Sequence, residues 1–84
     1  MPTMREITAL VAERHGVPLY DMYGACRERR AAWARQEAMA LIRKEGRYSL
    51  PQIGAHFNRD HTTVLHGLRA YEARVEAARR GACG

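Results

Sequence analysis

Cysteine is scarce: only Cys26 and Cys83 occur in 84 residues, far apart and outside any CxxC pair. Such a chain has no disulfide framework of the kind that staples small secreted domains, and two free thiols in a reducing compartment are expected. The four histidines, His15, His56, His61 and His66, do not combine with the cysteines at finger-like spacing, so no metal is expected. No apolar run approaches the roughly 20 residues needed to cross a bilayer, and no membrane partner is expected. Residues 1–6 have no long apolar stretch behind them, unlike a secretory signal. There is no nucleophile–base pair, metal cluster or phosphate loop, so the chain does not read as an enzyme and no cofactor is expected. Repeats, low-complexity tracts and linkers are also missing, which leaves residues 1–84 as one domain with a thin stability margin.

What is present is positive charge, unevenly placed. Residues 1–24 carry two Lys/Arg against three Asp/Glu, whereas residues 25–84 carry twelve against six. A basic excess confined to one part of a small domain points to a polyanionic partner.

The pattern of caps and apolar spacings predicts an all-α fold, a compact bundle of about five helices. Thr3 with Glu6 forms a capping box ahead of Ile7, Leu10 and Val11, and Gly16 stops that helix. Residues 17–24 form a short second helix with Pro18 in its first turn. The arginine-rich stretch 25–30 has no apolar period. A third helix over residues 31–45 places Trp33, Ala34, Glu37, Ala38, Leu41 and Ile42 on one face, with Arg35, Arg43 and Lys44 off it. Ser49 and Gln52 make a second capping box for a short helix carrying Ile53, Ala55 and Phe57. Asn58-Arg59 turns the chain, and Asp60 caps a last helix whose core stripe is Val64, Leu68, Tyr71 and Val75. That helix is expected to run to about residue 78 and to fray over 79–84.

Two helices joined by so tight a turn are the layout of a helix-turn-helix, whose second helix enters the major groove with its first turn leading. Asp60, His61, Thr62 and Thr63 lead here, and they are compact and polar. A Thr methyl packs on the thymine methyl, and an Asp accepts from cytosine N4. A structural role competes at each position, since Asp60 is a good N-cap in any protein and a run of arginines is often only a solvated face.

The strings S-L-P-x-I-G (Ser49 to Gly54) and R-D-H-T-T-V-L-H (Arg59 to His66), with Arg35-Gln36 upstream, resemble the C-terminal domain of the bacterial replication initiator family DnaA. The upstream Gly16-Val17 and Asp21-Met22 are also similar, so the resemblance covers about residues 4–74. It implies binding of a short asymmetric duplex site, the DnaA box. It also implies roles: Asp60, His61 and Thr62 read bases in the major groove, and Arg27 reaches into the adjacent minor groove. Arg35, Gln36, Arg43, Leu50, Pro51, Thr63 and His66 would line the phosphate track. An arginine in a narrow A·T-rich groove is a good electrostatic probe. One departure is local: Asn58 alone stands between Phe57 and Arg59, where family members often carry two residues, commonly Gly-Gly. The other is that these residues contain no ATPase motif.

The expectation is therefore a monomeric, sequence-specific double-stranded DNA-binding protein. It would sit in the cytoplasm at the nucleoid and regulate replication or transcription without ATPase activity. The alternative is an adaptor that docks a replication or transcription protein through its acidic-leaning N-terminal helices, with Tyr20 and Tyr23.

Overall fold

The computed structural model describes residues 2–24 and 27–83, apart from the side chains of 82 and 83. The expected free thiols of Cys26 and Cys83 lie outside the described side chains. Helix α1 spans Met4–His15. The Thr3 hydroxyl accepts from the Glu6 N–H, and the Glu6 carboxylate accepts from the Thr3 N–H, both at 3.1 Å. Gly16 ends α1 in the left-handed region, at φ 66°, where a residue without Cβ is at no disadvantage. Helix α2 is a single turn, Leu19–Tyr23, with Pro18 at the cap position just before it rather than inside it.

Helix α3, Arg29–Glu45, begins two residues earlier than the apolar period indicates. It lies between α1 on one flank and α5 on the other. Being covered on two sides, it buries a wider arc than a one-sided amphipathic helix: Ala31, Ala34, Arg35, Glu37, Ala38, Met39 and Ile42. This arc corrects the sequence reading at two positions. Arg35, expected off the apolar face, is 8% exposed, while Trp33, expected on it, is 42% exposed. The buried Arg35 is served by a carbonyl: its Nη1 donates to Asp21 O at 2.7 Å. The indole of Trp33 lies under the Arg74 guanidinium, 4.6 Å from the ring centroid, with Arg29 at 5.8 Å. Glu37 is buried against the end of α1, paired with Arg14 and with His15, whose Nε2 is 2.7 Å from its Oε1.

Helix α4, Leu50–His56, opens with the expected capping box, Ser49 N–H to Gln52 Oε1 at 2.8 Å and Gln52 N–H to Ser49 Oγ at 3.3 Å. Ile53, Gly54 and Phe57 face the core, but Ala55 is exposed. Helix α5, His61–Cys83, continues past residue 78, where the sequence reading has it fray. Its stripe is core only at the start: Val64 is buried, Leu68 and Tyr71 half-buried, and Val75 exposed. At 1.5 Å per residue α5 is about 34 Å long, while the molecule measures 39 × 26 × 26 Å. The second half of α5 therefore outruns the shorter helices that could cover it.

The core is small, with Phe57, Met22, Ile42, Ile53, Val11 and Val64 its largest fully buried side chains. Each stabilises by about 1.5–3 kcal/mol through lost apolar exposure. Beside it, three elements meet on His56. The Thr8 hydroxyl donates to Met4 O at 2.7 Å, and its oxygen lies 3.2 Å from His56 Nε2. The Tyr23 hydroxyl is 3.0 Å from the same nitrogen, and the ring of Tyr23 stacks on Phe57. Burial, and secondarily the charge of Arg5, hold the His56 pKa below its ordinary value. The unfolded chain binds that proton near the ordinary value, about 6.5, and the folded protein only at lower pH. Unfolding therefore takes up a proton below about pH 6.5, and stability falls as the pH drops through that value. The melting temperature is expected to be lower at about pH 5.5 than at about pH 7.5, and the difference to shrink in His56→Gln. A decline of equal size in that variant would place its source elsewhere.

Candidate nucleic-acid interface

The launch of α5 is built by its own first residues. Asp60 precedes the helix, and its Oδ1 accepts from the Thr63 N–H at 2.8 Å. Its carbonyl accepts from the Val64 N–H at 3.3 Å. The hydrogen bonds from Thr63, main chain first, hold the Asp60 carboxyl below the usual carboxylate range. At neutral pH Asp60 is thus an acceptor only. Asp60, His61, Thr62 and Thr63 are all exposed, because Val64 is the first residue of α5 that turns into the core. An exposed, polar helix start fixed from beneath by one buried valine can enter a groove without unfolding anything.

The turn between α4 and α5 is short because of two residues. Asn58 adopts φ 59°, a left-handed conformation that Asn tolerates better than most residues. Gly54 lets the chain fold back on α4: a Cβ built there would lie 2.5 Å from Arg59 O. The Arg59 N–H closes the turn on Gly54 O at 2.8 Å.

Beside the first turn of α5, α3 and α5 form a groove of about 330 Å³. Ala32, Met39, Gly67 and Ala70 supply its small or apolar surfaces, and Arg35, Gln36, Arg59, Thr63 and His66 its polar ones. Gly67 permits the close approach, since a Cβ there would meet Met39 Sδ at 3.2 Å. The groove thus gathers four residues expected on the phosphate track, from two helices: Arg35, Gln36, Thr63 and His66. Gln36 is oriented by the Arg74 guanidinium, which donates to its Oε1. Arg43, Leu50 and Pro51 form a separate group at the junction of α3 and α4, where Arg43 Nη1 donates to Tyr48 O at 3.0 Å. Arg43 and Pro51 are exposed and Leu50 is half-buried against the core. Arg27 is exposed between α2 and α3 and belongs to neither group.

Two residues of this surface are given no role by the sequence. Arg59 reads there as half of a turn-prone pair, yet its Nη1 donates to Phe57 O at 2.7 Å and its Nη2 to Gly24 O at 2.6 Å. Arg74 is given no role by the sequence, yet it holds Gln36 and covers Trp33. Gly67 does leave a sign, because an isolated glycine within a helical pattern often marks close packing. Tyr23, expected as a docking aromatic, is engaged with His56 and Phe57, whereas Tyr20 is 76% exposed.

Among the described residues, a short helix, a tight turn and a longer helix with an exposed polar first turn, packed on three further helices, define an all-helical helix-turn-helix domain. The family model for the bacterial DnaA protein helix-turn-helix matches residues 4–70, and the chain belongs to that family. It thereby carries a DNA-binding helix-turn-helix domain. The chromosomal replication initiator protein DnaA of Cereibacter sphaeroides is 46% identical over 71 residues, 83% of this chain and 16% of that protein. The protein of the same name from Roseobacter denitrificans is 45% identical over 71 residues, with the same shares of each chain. That of Anaplasma marginale is 44% identical over 77 residues, 90% of this chain. The chain spans about 16% of the length of these relatives. No described helix is long and apolar enough to cross a membrane.

Proposed function

We propose that this chain binds a DnaA-box-like duplex site as a monomer and regulates replication or transcription by occupying it. The observation that carries the reading is the pairing of an exposed Asp60-His61-Thr62 turn with the flanking groove of Arg35, Gln36, Thr63 and His66. The first reads base edges in the major groove, and the second seats the strand beside it. Arg43, Leu50 and Pro51 extend the backbone contact, and Arg27 probes the adjacent minor groove. These residues carry no phosphate-binding loop, so ATP-driven steps and catalysis are not among the proposed activities. The cytoplasm, at the nucleoid, is the compartment that fits such a protein.

Selection from a random duplex pool tests this reading. Recovery of a single asymmetric DnaA-box-like motif supports it. Inverted repeats spaced by one helical turn would instead indicate a two-fold dimer. Reading and positioning separate by substitution. Thr62→Ala should cost about 1–3 kcal/mol on the selected site and little on a scrambled duplex. Arg43→Ala should weaken both about equally and flatten the log–log salt slope by about one. Equal losses on both duplexes for both variants would mean that the first turn of α5 does not read bases. A second reading, docking of a replication or transcription protein on α1 and α2, draws on the exposed Tyr20 and Leu10. Failure to select any motif would favour it.

A further inference from the structure

The guanidinium of Arg59 joins two segments that the chain separates by 35 residues. One is the turn that launches α5, held through Phe57 O at 2.7 Å. The other is the end of α2, held through Gly24 O at 2.6 Å. A helix leaves its last carbonyls without intrahelical donors, and the end of α2 has two carbonyls, one within the helix and one on its C-cap Gly24, satisfied by arginines from elsewhere. Arg35 of α3 serves Asp21 O and Arg59 serves Gly24 O. Arg27 follows Gly24 by three residues, a reach of at most about 11 Å. Its other side is fixed by the start of α3, where the Ala32 N–H donates to Glu28 O at 2.9 Å. Of the described residues on either side of Arg27, Gly24 is held by Arg59 of the α4–α5 turn and Glu28 by the start of α3.

We propose that Arg59 is a positioning residue that couples minor-groove reading by Arg27 to major-groove reading by the first turn of α5. The inference rests on the DNA-reading surface proposed above. A planar guanidinium bridges two carbonyls at fixed angles, which a lysine ammonium on a flexible stem does not reproduce. Loosening the tie leaves Asp60, His61 and Thr62 on their helix but frees Arg27 from the register that their docking sets.

The test uses Arg59→Lys and Arg59→Gln in the full chain. In the free protein, the amide resonances of Arg27, Glu28 and Arg29 should move in both variants. On the selected site, the unaltered chain should prefer an A·T-rich over a G·C-rich flank by about tenfold, and Arg59→Lys should reduce this to about twofold. Thr62→Ala should cost the same in either background. Arg27→Ala should abolish the flank preference in the unaltered chain and cost little more in Arg59→Lys, the signature of coupled residues. Unmoved amides, or an unchanged flank preference in Arg59→Lys, overturn the inference. A chain that binds its site with no flank preference overturns the minor-groove role of Arg27 and the coupling with it. The free-protein resonances then still report whether the tie exists.

Discussion

Gly54→Ala is expected to lower the melting temperature by roughly 8–16 °C and to abolish duplex binding at concentrations where the unaltered chain is saturated. The added Cβ would lie 2.5 Å from Arg59 O, 3.2 Å from Asp60 C and 3.3 Å from Asp60 O. All three obstacles are main chain, so no side chain can swing aside. Overpacking costs about 1–3 kcal/mol, and an immovable neighbour puts this site at the upper end. Alanine's better helix propensity returns only about 1 kcal/mol, leaving a net loss of about 2 kcal/mol. Relief requires the turn to open, which shifts the residues proposed to read bases relative to the groove. Gly67→Ala supplies the contrast. Its Cβ meets only Met39 Sδ at 3.2 Å and Gln36 Cγ at 3.5 Å, both on flexible side chains. Thermal melts of the two variants side by side decide the matter. An equal effect of both would mean that the turn is not sterically closed.

Raising salt from about 50 to about 200 mM is expected to weaken binding of the selected site roughly 250- to 4000-fold, a log–log slope of about −4 to −6. Together, the arginines on and beside the proposed track would neutralise about five to seven phosphates, and each contact releases condensed counterions. Exposed Arg27 and Arg43 supply such charge, and the exposed Arg29, Arg30 and Arg69 lie on the same elements as the proposed contacts. A scrambled duplex should show a slope nearly as steep, because phosphate contacts are blind to sequence. Fluorescence anisotropy at four salt concentrations measures both slopes. A slope shallower than about −2 would mean that duplex DNA is not the natural ligand.

Much of the framework needs only neighbours in the chain. Both capping boxes are closed by residues three apart, Thr3 with Glu6 and Ser49 with Gln52. Gly16 and Gly46 end their helices in the left-handed region by their own backbone freedom. Asp60 caps α5 through a bond to Thr63. The candidate site was legible as far as the first turn of α5, since its residues are consecutive. That stretch also carries the most specific strings of the resemblance.

What the chain alone did not determine involves partners distant along it. Whether Arg35 or Trp33 is buried depends on α3 being flanked on both sides, which a one-dimensional period does not encode. The end of the buried stripe on α5 depends on how far the other helices reach. Gln36 meets Arg74 across 38 residues. Arg59 meets Gly24 across 35. Caps and turns obey local hydrogen-bond geometry, so the amino-acid sequence by itself determined the helices and the turn that launches α5. Which arginines face solvent and which hold carbonyls was decided by the tertiary structure, because packing brings buried acceptors within reach only once the helices have come together.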